Sequence, residues 1–432
     1  MEPAQPLATP LLEPRHPMDD LVTTPQSFLQ MLEQLGAGHG PIAIDAERAS
    51  GYRYSQRAYL IQIFRRDGGL HLIDPIAVPD PQLWQKLSSQ FEDTEWIIHA
   101  STQDLPCLRE LGLDPKILFD TELGGRIAGC ARVGLGPLCE SLLGLALAKE
   151  HSAVDWSIRP LRAEWLIYAA LDVDVLVDLR DEVEKLLEGE GKLAWAREDF
   201  AAILRNPPAG ARKDPWRRTS GMHKVRDRMT LGIIKALWHA RDDFAKQVDI
   251  SPGRIFNDEI LLEIATRRPK TIDEFNKLVK RRTRVENLPT TEWFALLHST
   301  LLLPVDALPE IRTPAVGLPP LKVWKDRNVM AHARITHARS AIADRAQQLK
   351  MPTENLLSPE LLRQLMWKNP PLDAGASQSD FHEYIGATLR ELGAREWQID
   401  QSWECLCAPL VATEPLIAQV ADESKEEDLT SD

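Results

Sequence analysis

The chain has 432 residues, 44% of them hydrophobic and 27% charged, with a formal net charge of −13. That length exceeds one ordinary domain, and the composition excludes a disordered or fibrous chain, so about three folded units are expected. No run of apolar residues is long enough to cross a membrane, and the first residues lack the basic patch and apolar core of an export signal; the expectation is a cytoplasmic protein with no membrane and no obligate protein partner.

In chain order, residues 1–20 read as a disordered tail. Short β-rich runs follow at Ile42–Ile44, Tyr59–Phe64, Leu70–Ile73 and Trp96–Ile98, and helical patterns at 101–111, 121–130, 136–145 and 161–187. This alternation predicts an α/β domain over 21–200. Asn206-Pro207-Pro208 breaks the pattern and marks a linker over 201–218. An all-helical module is expected over 219–290, a Pro-rich linker over 291–319, and a second helical module over 320–410. Amphipathic stretches at Val225–Val248 and Asn257–Ala265 are echoed by Val329–Leu349 and Ser358–Trp367, as a weak internal repeat would give. Residues 411–432, rich in acids, read as a disordered tail. The five cysteines are odd in number, lie among apolar residues and include no Cys-x-x-Cys, which predicts reduced core thiols.

Charge is unevenly spread. From Arg212 to Arg284 there are 19 Lys and Arg against 10 Asp and Glu, so this segment carries +9 and the remainder −22. A uniformly acidic protein would repel a phosphate backbone, whereas one basic module restores that partner. Arg217, Arg218, Lys224, Arg226 and Arg228 form one cluster; Lys277, Lys280, Arg281, Arg282 and Arg284 form another.

Three acidic elements stand out in the α/β domain. Ile42-Ala43-Ile44-Asp45-Ala46-Glu47 ends a buried strand, and side chains two apart on an extended backbone share a face, so Asp45 and Glu47 point to one ligand. Asp104 follows the strand Trp96–Ile98, in the first turn of a helix opened by Ser101 or Thr102. Tyr168 and Asp172 are four apart in a helix, which stacks phenol and carboxylate on one face. Each element alone has an ordinary explanation in a chain with 64 acids.

Together, Ile44-Asp45-Ala46-Glu47, His99-Ala100-Ser101-Thr102-Gln103-Asp104-Leu105 with Phe119-Asp120-Thr121, and Asp155-Trp156-Ser157-Ile158-Arg159-Pro160-Leu161 leading to Tyr168-Ala169-Ala170-Leu171-Asp172 resemble the DEDD exonucleases. The tyrosine four residues before the last aspartate marks the subgroup that includes ribonuclease D. Residues about 219–290 resemble the HRDC domain, and residues about 320–408 resemble it more distantly. The resemblance implies an α/β ribonuclease H-like exonuclease domain, a mixed sheet flanked by helices, followed by two all-α HRDC-like modules. It further implies hydrolysis from RNA 3′ ends, as in tRNA processing, with two divalent cations, Mg²⁺ or Mn²⁺, on Asp45, Glu47, Asp104 and Asp172, and Asp45 bridging both.

Oxygen-only carboxylate ligands suit hard cations and offer nothing for a softer metal. Tyr168 is assigned to orienting water, because a phenol is a poor base at neutral pH. Substrate contacts are expected from His99, Arg159 and the basic clusters, namely Arg217, Arg218, Lys224, Arg226, Arg228, Lys280, Arg281 and Arg282. Gln62 is expected to pair with backbone. The competing readings are a DNA-directed 3′→5′ exonuclease using the same carboxylates, and a catalytically silent nucleic-acid-binding protein. The full acid set with Tyr168 weighs against the second.

Overall fold

The fold is that of a computed structural model, which describes residues 8–148, 154–205, 210, 212–281, 283, 285–312, 317–372 and 375–411. Seven strands occur among these residues: β1 (Thr9–Leu11), β2 (His39–Arg48), β3 (Ala58–Arg66), β4 (Gly69–Ile73), β5 (Glu95–Ile98), β6 (Ile117–Asp120) and β7 (Leu145–Leu147). Five form one mixed sheet in the order β4-β3-β2-β5-β6, antiparallel on the β2, β3, β4 side and parallel on the β2, β5, β6 side. The acidic ends of β2 and β5 therefore emerge side by side at one edge. That edge is where an α/β sheet gathers its chemistry.

Eight helices accompany this sheet: α1 (Pro25–Ala37), α2 (Pro81–Gln90), α3 (Leu105–Glu110), α4 (Thr121–Ala128), α5 (Leu135–Leu138), α6 (Ala163–Asp174), α7 (Leu176–Gly189) and α8 (Leu193–Arg205). The pattern over 161–187 was expected as one helix, but the chain turns at Val175 between α6 and α7, whose buried residues then pack against the sheet separately. Over 136–145 the chain makes α5, a π-helical turn at Cys139–Leu143 and then β7. Neither α1 nor α2 was predicted. Both open at capping residues, Thr24 and Asp80, followed at once by proline, and each turns only three or four apolar side chains inward.

Residues 8–20 are not the free tail expected of them. β1 pairs in parallel with β7, and Arg15 and His16 close on the buried Asp174 of α6. Arg15 donates from Nε to Asp174 Oδ2 at 2.8 Å and from Nη1 to Asp178 at 2.9 Å. The proline-rich composition suggested disorder, whereas two ion pairs across more than 150 residues of sequence bind the segment down. The expected acidic tail lies outside the described residues apart from Val411.

Two helical modules follow. The first builds its own core around Ile233, Leu237, Phe256, Ile264 and Phe275, with the long helix Arg228–Val248 at its centre. It includes Thr290–Leu301, which carries the buried Trp293 and Leu297, so the helical body extends into what was expected to be linker. Its seam with the α/β domain is mostly polar: Tyr54 donates to Asp242, Ser55 N donates to Asp249, and Arg254 donates to the Gly51 carbonyl. The second module, around Val329–Gln348 and Glu396–Val411, shares one continuous core with the α/β domain. Trp195 of α8 stacks on Trp397 with centroids 5.1 Å apart and planes 8° from parallel. Lys192 donates to the carbonyls of Ile127 and Leu349, Lys350 pairs with Glu190, and Arg395 pairs with Asp199. Gly129, with φ 97°, meets the Lys350 carbonyl so closely that a Cβ would collide with it.

Candidate active site

Asp45 and Glu47 project from β2 to the face covered by α6, because they sit two apart on an extended strand. Asp172, in the third turn of α6, comes down onto them, and one carboxylate oxygen from each of the three lies within 4.8 Å of the others. Such proximity is unfavourable for buried like charges. Burial, followed by repulsion from the other acids, holds the carboxyls of Glu47 and Asp172 well above the usual range, and burial also raises Asp45. Proton or cation must neutralise the cluster, and an all-oxygen donor set fits a hard divalent cation.

Asp104 approaches from the other side. It stands at the N-cap position of α3 without capping it, one turn later than expected for a helix starting at Ser101 or Thr102. Its carboxyl is pushed up to about 8, by burial first and by Asp45 second. Cation binding must displace these protons, so calorimetric titration with Mg²⁺ is expected to release protons below about pH 8, with affinity rising as pH rises. An enthalpy independent of the buffer's ionisation heat at pH 7 would contradict the cluster's raised proton affinity.

Tyr168 packs above these acids on α6, one turn before Asp172. Burial, then Asp172, Glu47 and Asp45, all raise its phenol, so it is neutral near pH 7 and keeps its O–H proton. His99 Nδ1 lies 2.9 Å from Thr121 Oγ1; burial lowers its pKa in spite of Asp120, Glu122 and Asp45 nearby, which leaves a neutral ring beside the cluster.

Two residues outside the sequence-based candidates shape the site. Asp120, at the end of β6, accepts from the backbone of Ala100, Ser101, Glu122 and Leu123 and from Ser101 Oγ at 2.7 Å. It thus caps α4 and fixes the turn that carries Asp104. The Phe119-Asp120-Thr121 stretch held that signal, since Asp before a helix is a capping residue. Arg48, directly after Glu47, brings Nη2 to 3.1 Å from Asp104 Oδ1. Nothing in the linear motif set it apart from a surface arginine.

Other expectations change. Arg159 is not presented to a substrate: its guanidinium makes a fork on Asp74 at 2.7 and 2.8 Å and donates to the carbonyls of Tyr59 and Trp156. It fastens the Asp155–Leu161 segment to β3 and β4, because the Asp74 carboxylate is almost wholly buried and requires a cation. Gln62 does not pair with backbone. It is fully buried, opposite Asp45 across the β2–β3 ladder, and both amide atoms lack a protein partner.

The basic module is also more neutralised than its composition suggests. Arg217 lies over the Trp216 ring and donates to the Glu310 carbonyl; Arg228 pairs with Glu310 and the Leu308 carbonyl. Arg226 bonds the His223 carbonyl, and Arg281 pairs with Glu263 at 2.6 Å. Arg217 and Arg228 therefore serve chiefly to hold the 308–310 segment. Arg218, Lys224 and Lys280 are exposed, and Lys224 and Arg226 line a groove of about 740 Å³ with Arg267. Arg282 lies outside the described residues.

Comparison with known proteins finds a 3′-5′ exonuclease family model over residues 20–188, an HRDC domain over 230–286 and a 3′ to 5′ exonuclease C-terminal domain over 317–410. The chain is 32% identical over 265 residues to the ribonuclease D of Gluconacetobacter diazotrophicus, a match covering 60% of this chain and 65% of that protein. It is 36% identical over 178 residues to that of Granulibacter bethesdensis, covering 40% and 44%. These matches thus span less than two thirds of the relatives' lengths. A crystal structure of a protein from Bifidobacterium adolescentis superposes with a TM-score of 0.83 at 33% identity, covering 93% of this chain and 99% of the other. Escherichia coli RNase D shares the fold at 23% identity, with a TM-score of 0.60 over 86% of this chain and 98% of the other. Among the described residues no helix is long and apolar enough to cross a membrane.

Proposed function

We propose that this chain, similar to curated ribonucleases D, is a metal-dependent 3′→5′ exoribonuclease releasing nucleoside 5′-monophosphates from the ends of structured RNA, with tRNA precursors as the leading substrate class. The observation that carries this reading is the convergence of Asp45, Glu47 and Asp172 with Tyr168 of the same helix, at the sheet edge where Asp104 also arrives.

In this reading Asp45, Glu47, Asp172 and Asp104 hold two divalent cations, Mg²⁺ or Mn²⁺. When bound, the cations neutralise the phosphoryl oxygens, lower the pKa of the attacking water and stabilise the leaving oxygen. The chain's own residues supply position. Asp45 and Glu47 are fixed by the β2–β3 and β2–β5 ladders, and Asp172 by the packing of α6 across β2, β3 and β4. Tyr168, kept neutral, donates toward the water and holds it in line. His99, also neutral, borders the terminal nucleotide. Exposed Lys224 and Arg226 of the helical module take the phosphates of the upstream strand, which positions RNA without reading its bases. A cytoplasmic setting accords with the free thiols Cys107, Cys130, Cys139, Cys405 and Cys407.

Tyr168→Phe is expected to lower kcat about 10- to 100-fold while leaving Mg²⁺ affinity unchanged, since alignment of the water is one contribution among several. Single-turnover kinetics beside metal titration measures both, and a Phe enzyme as inactive as one lacking a carboxylate would give the phenol a larger task. The function itself is tested with 3′- and 5′-labelled RNA and DNA in Mg²⁺, Mn²⁺ or chelator. Stepwise shortening of RNA from the 3′ end, abolished by chelator, is the expected result. Equal or faster DNA cleavage would favour the DNA-directed alternative, and no cleavage under any condition the silent binding protein.

A further inference from the structure

The cluster contains a cation of its own. In a regular strand Arg48 would turn to the face opposite Asp45 and Glu47, but the β2–β3 register breaks between Glu47 and Arg48, where Leu60 and Ala58 are the successive partners and Tyr59 is skipped. Bulges of this kind sharpen the local twist and re-aim side chains beside active sites. Here the guanidinium comes round to Asp104, with Nη2 at 3.1 Å from Oδ1 and close enough to act on Asp45 and Glu47 as well. Asp104 lies outside the group of three whose oxygens converge within 4.8 Å, although its carboxyl shares a hydrogen bond with Asp45.

We propose that Arg48 is the resident counter-cation of Asp104, that the cation joining Asp104 must displace it, and that the displaced guanidinium then takes a non-bridging oxygen of the scissile phosphate. This rests on the exonuclease reading above and extends it to a residue with two positions. A guanidinium stays charged at any working pH, so it does not leave by losing its own proton, and an incoming cation displaces it together with any proton that Asp104 still carries. The Arg48 side chain is 25% exposed and the Asp104 side chain 8%, so the arginine is the partner with room to move. Once free, a planar fork of donors beside the acids finds its best partner in a phosphodiester, whose oxygens match its geometry. The exchange orders the events: the cation held by Asp45, Glu47 and Asp172 binds first, and the one that needs Asp104 binds second and more weakly.

Calorimetric titration of the full chain with Mn²⁺ and with Mg²⁺ tests the exchange, and KM for a short single-stranded RNA at saturating metal tests the phosphate contact. The wild type is expected to show a tighter and a weaker step. Arg48→Gln is expected to tighten the weaker step about tenfold and raise KM by a similar factor. Arg48→Lys, which keeps the charge and safeguards folding but lacks the fork, is expected to bind metal as the wild type does and to raise KM as Gln does. An unchanged or weakened second step in Arg48→Gln overturns the exchange, and a wild-type KM in both variants overturns the phosphate contact. Wild-type protein that takes up no divalent cation, or an Asp45→Asn variant that remains active, would instead remove the exonuclease reading, so the two failures are distinguishable.

Discussion

Asp45→Asn is expected to reduce exonuclease activity by at least three orders of magnitude while making the metal-free protein more resistant to heat. Asp45 lies between Glu47 and Asp172 on one side and Asp104 on the other, so an amide there removes the acid that the others share. The stability effect follows from the same geometry with the opposite sign. Carboxyls held above their unfolded values are protonated in the fold over a window in which the unfolded chain has lost those protons. For Asp104 that window runs from 3.8 to about 8. Within it the folded state binds more protons, so stability falls as pH rises. Melting in chelator should therefore decline from pH 5 to pH 8 in the wild type and decline less in Asp45→Asn, with the largest gain for the variant at pH 8. A mutant retaining a tenth of wild-type turnover, or a flat metal-free profile, would falsify the shared-site assignment.

The second large effect is expected far from the chemistry. Trp397 of the last helix is buried and stacked on Trp195 of α8, inside a core continuous from Phe28 to Leu410. Truncating a buried tryptophan costs about 3–5 kcal/mol through lost burial and the cavity left behind. Trp397→Ala should destabilise the exonuclease domain itself and not the second module alone. Chemical denaturation followed by two probes, one in each part, is expected to show a coincident loss. For the same reason a chain cut near Arg205 exposes Trp195, Lys192 and Asp199, and is expected to aggregate. A stable, soluble 1–205 fragment would disprove the shared core.

Legibility in the sequence followed the range of the interactions concerned. Asp45 and Glu47 were readable because two-residue spacing on a strand sets a face, and Tyr168 and Asp172 because four-residue spacing on a helix does the same. Asp104 was readable as an acid beyond a strand, though not its place at the N-cap of α3. What escaped depends on partners distant in sequence. Arg159 looked like a phosphate ligand because its requirement, Asp74, lies 85 residues away, and Arg15 and His16 looked free because Asp174 lies about 160 residues on. Arg48 escaped for a different reason: alternation along β2 points it away from the acids, and its approach to Asp104 is a contact between separate elements. The second helical module was visible as helices, but nothing in its periodicity revealed which apolar faces would cover α8.

The division of cores also sets an order of events during synthesis. A ribosome adds about 5–20 residues per second and releases domains from the N-terminal side as their contacts become available. The α/β domain emerges first, yet its core is completed by Trp324 and Ile335 and then by Trp397 and Leu406, the last two close to the last residues described. The intervening module, whose own core is finished once Trp293 and Leu297 appear, can close while the catalytic domain still waits with the α8 surface uncovered. The catalytic unit is thus begun early and finished late, with an independently folding insert between its halves. Ribosome-bound chains halted once Leu301 has cleared the exit tunnel, and before Trp324 has, should protect the insert from protease while α8 stays open to it.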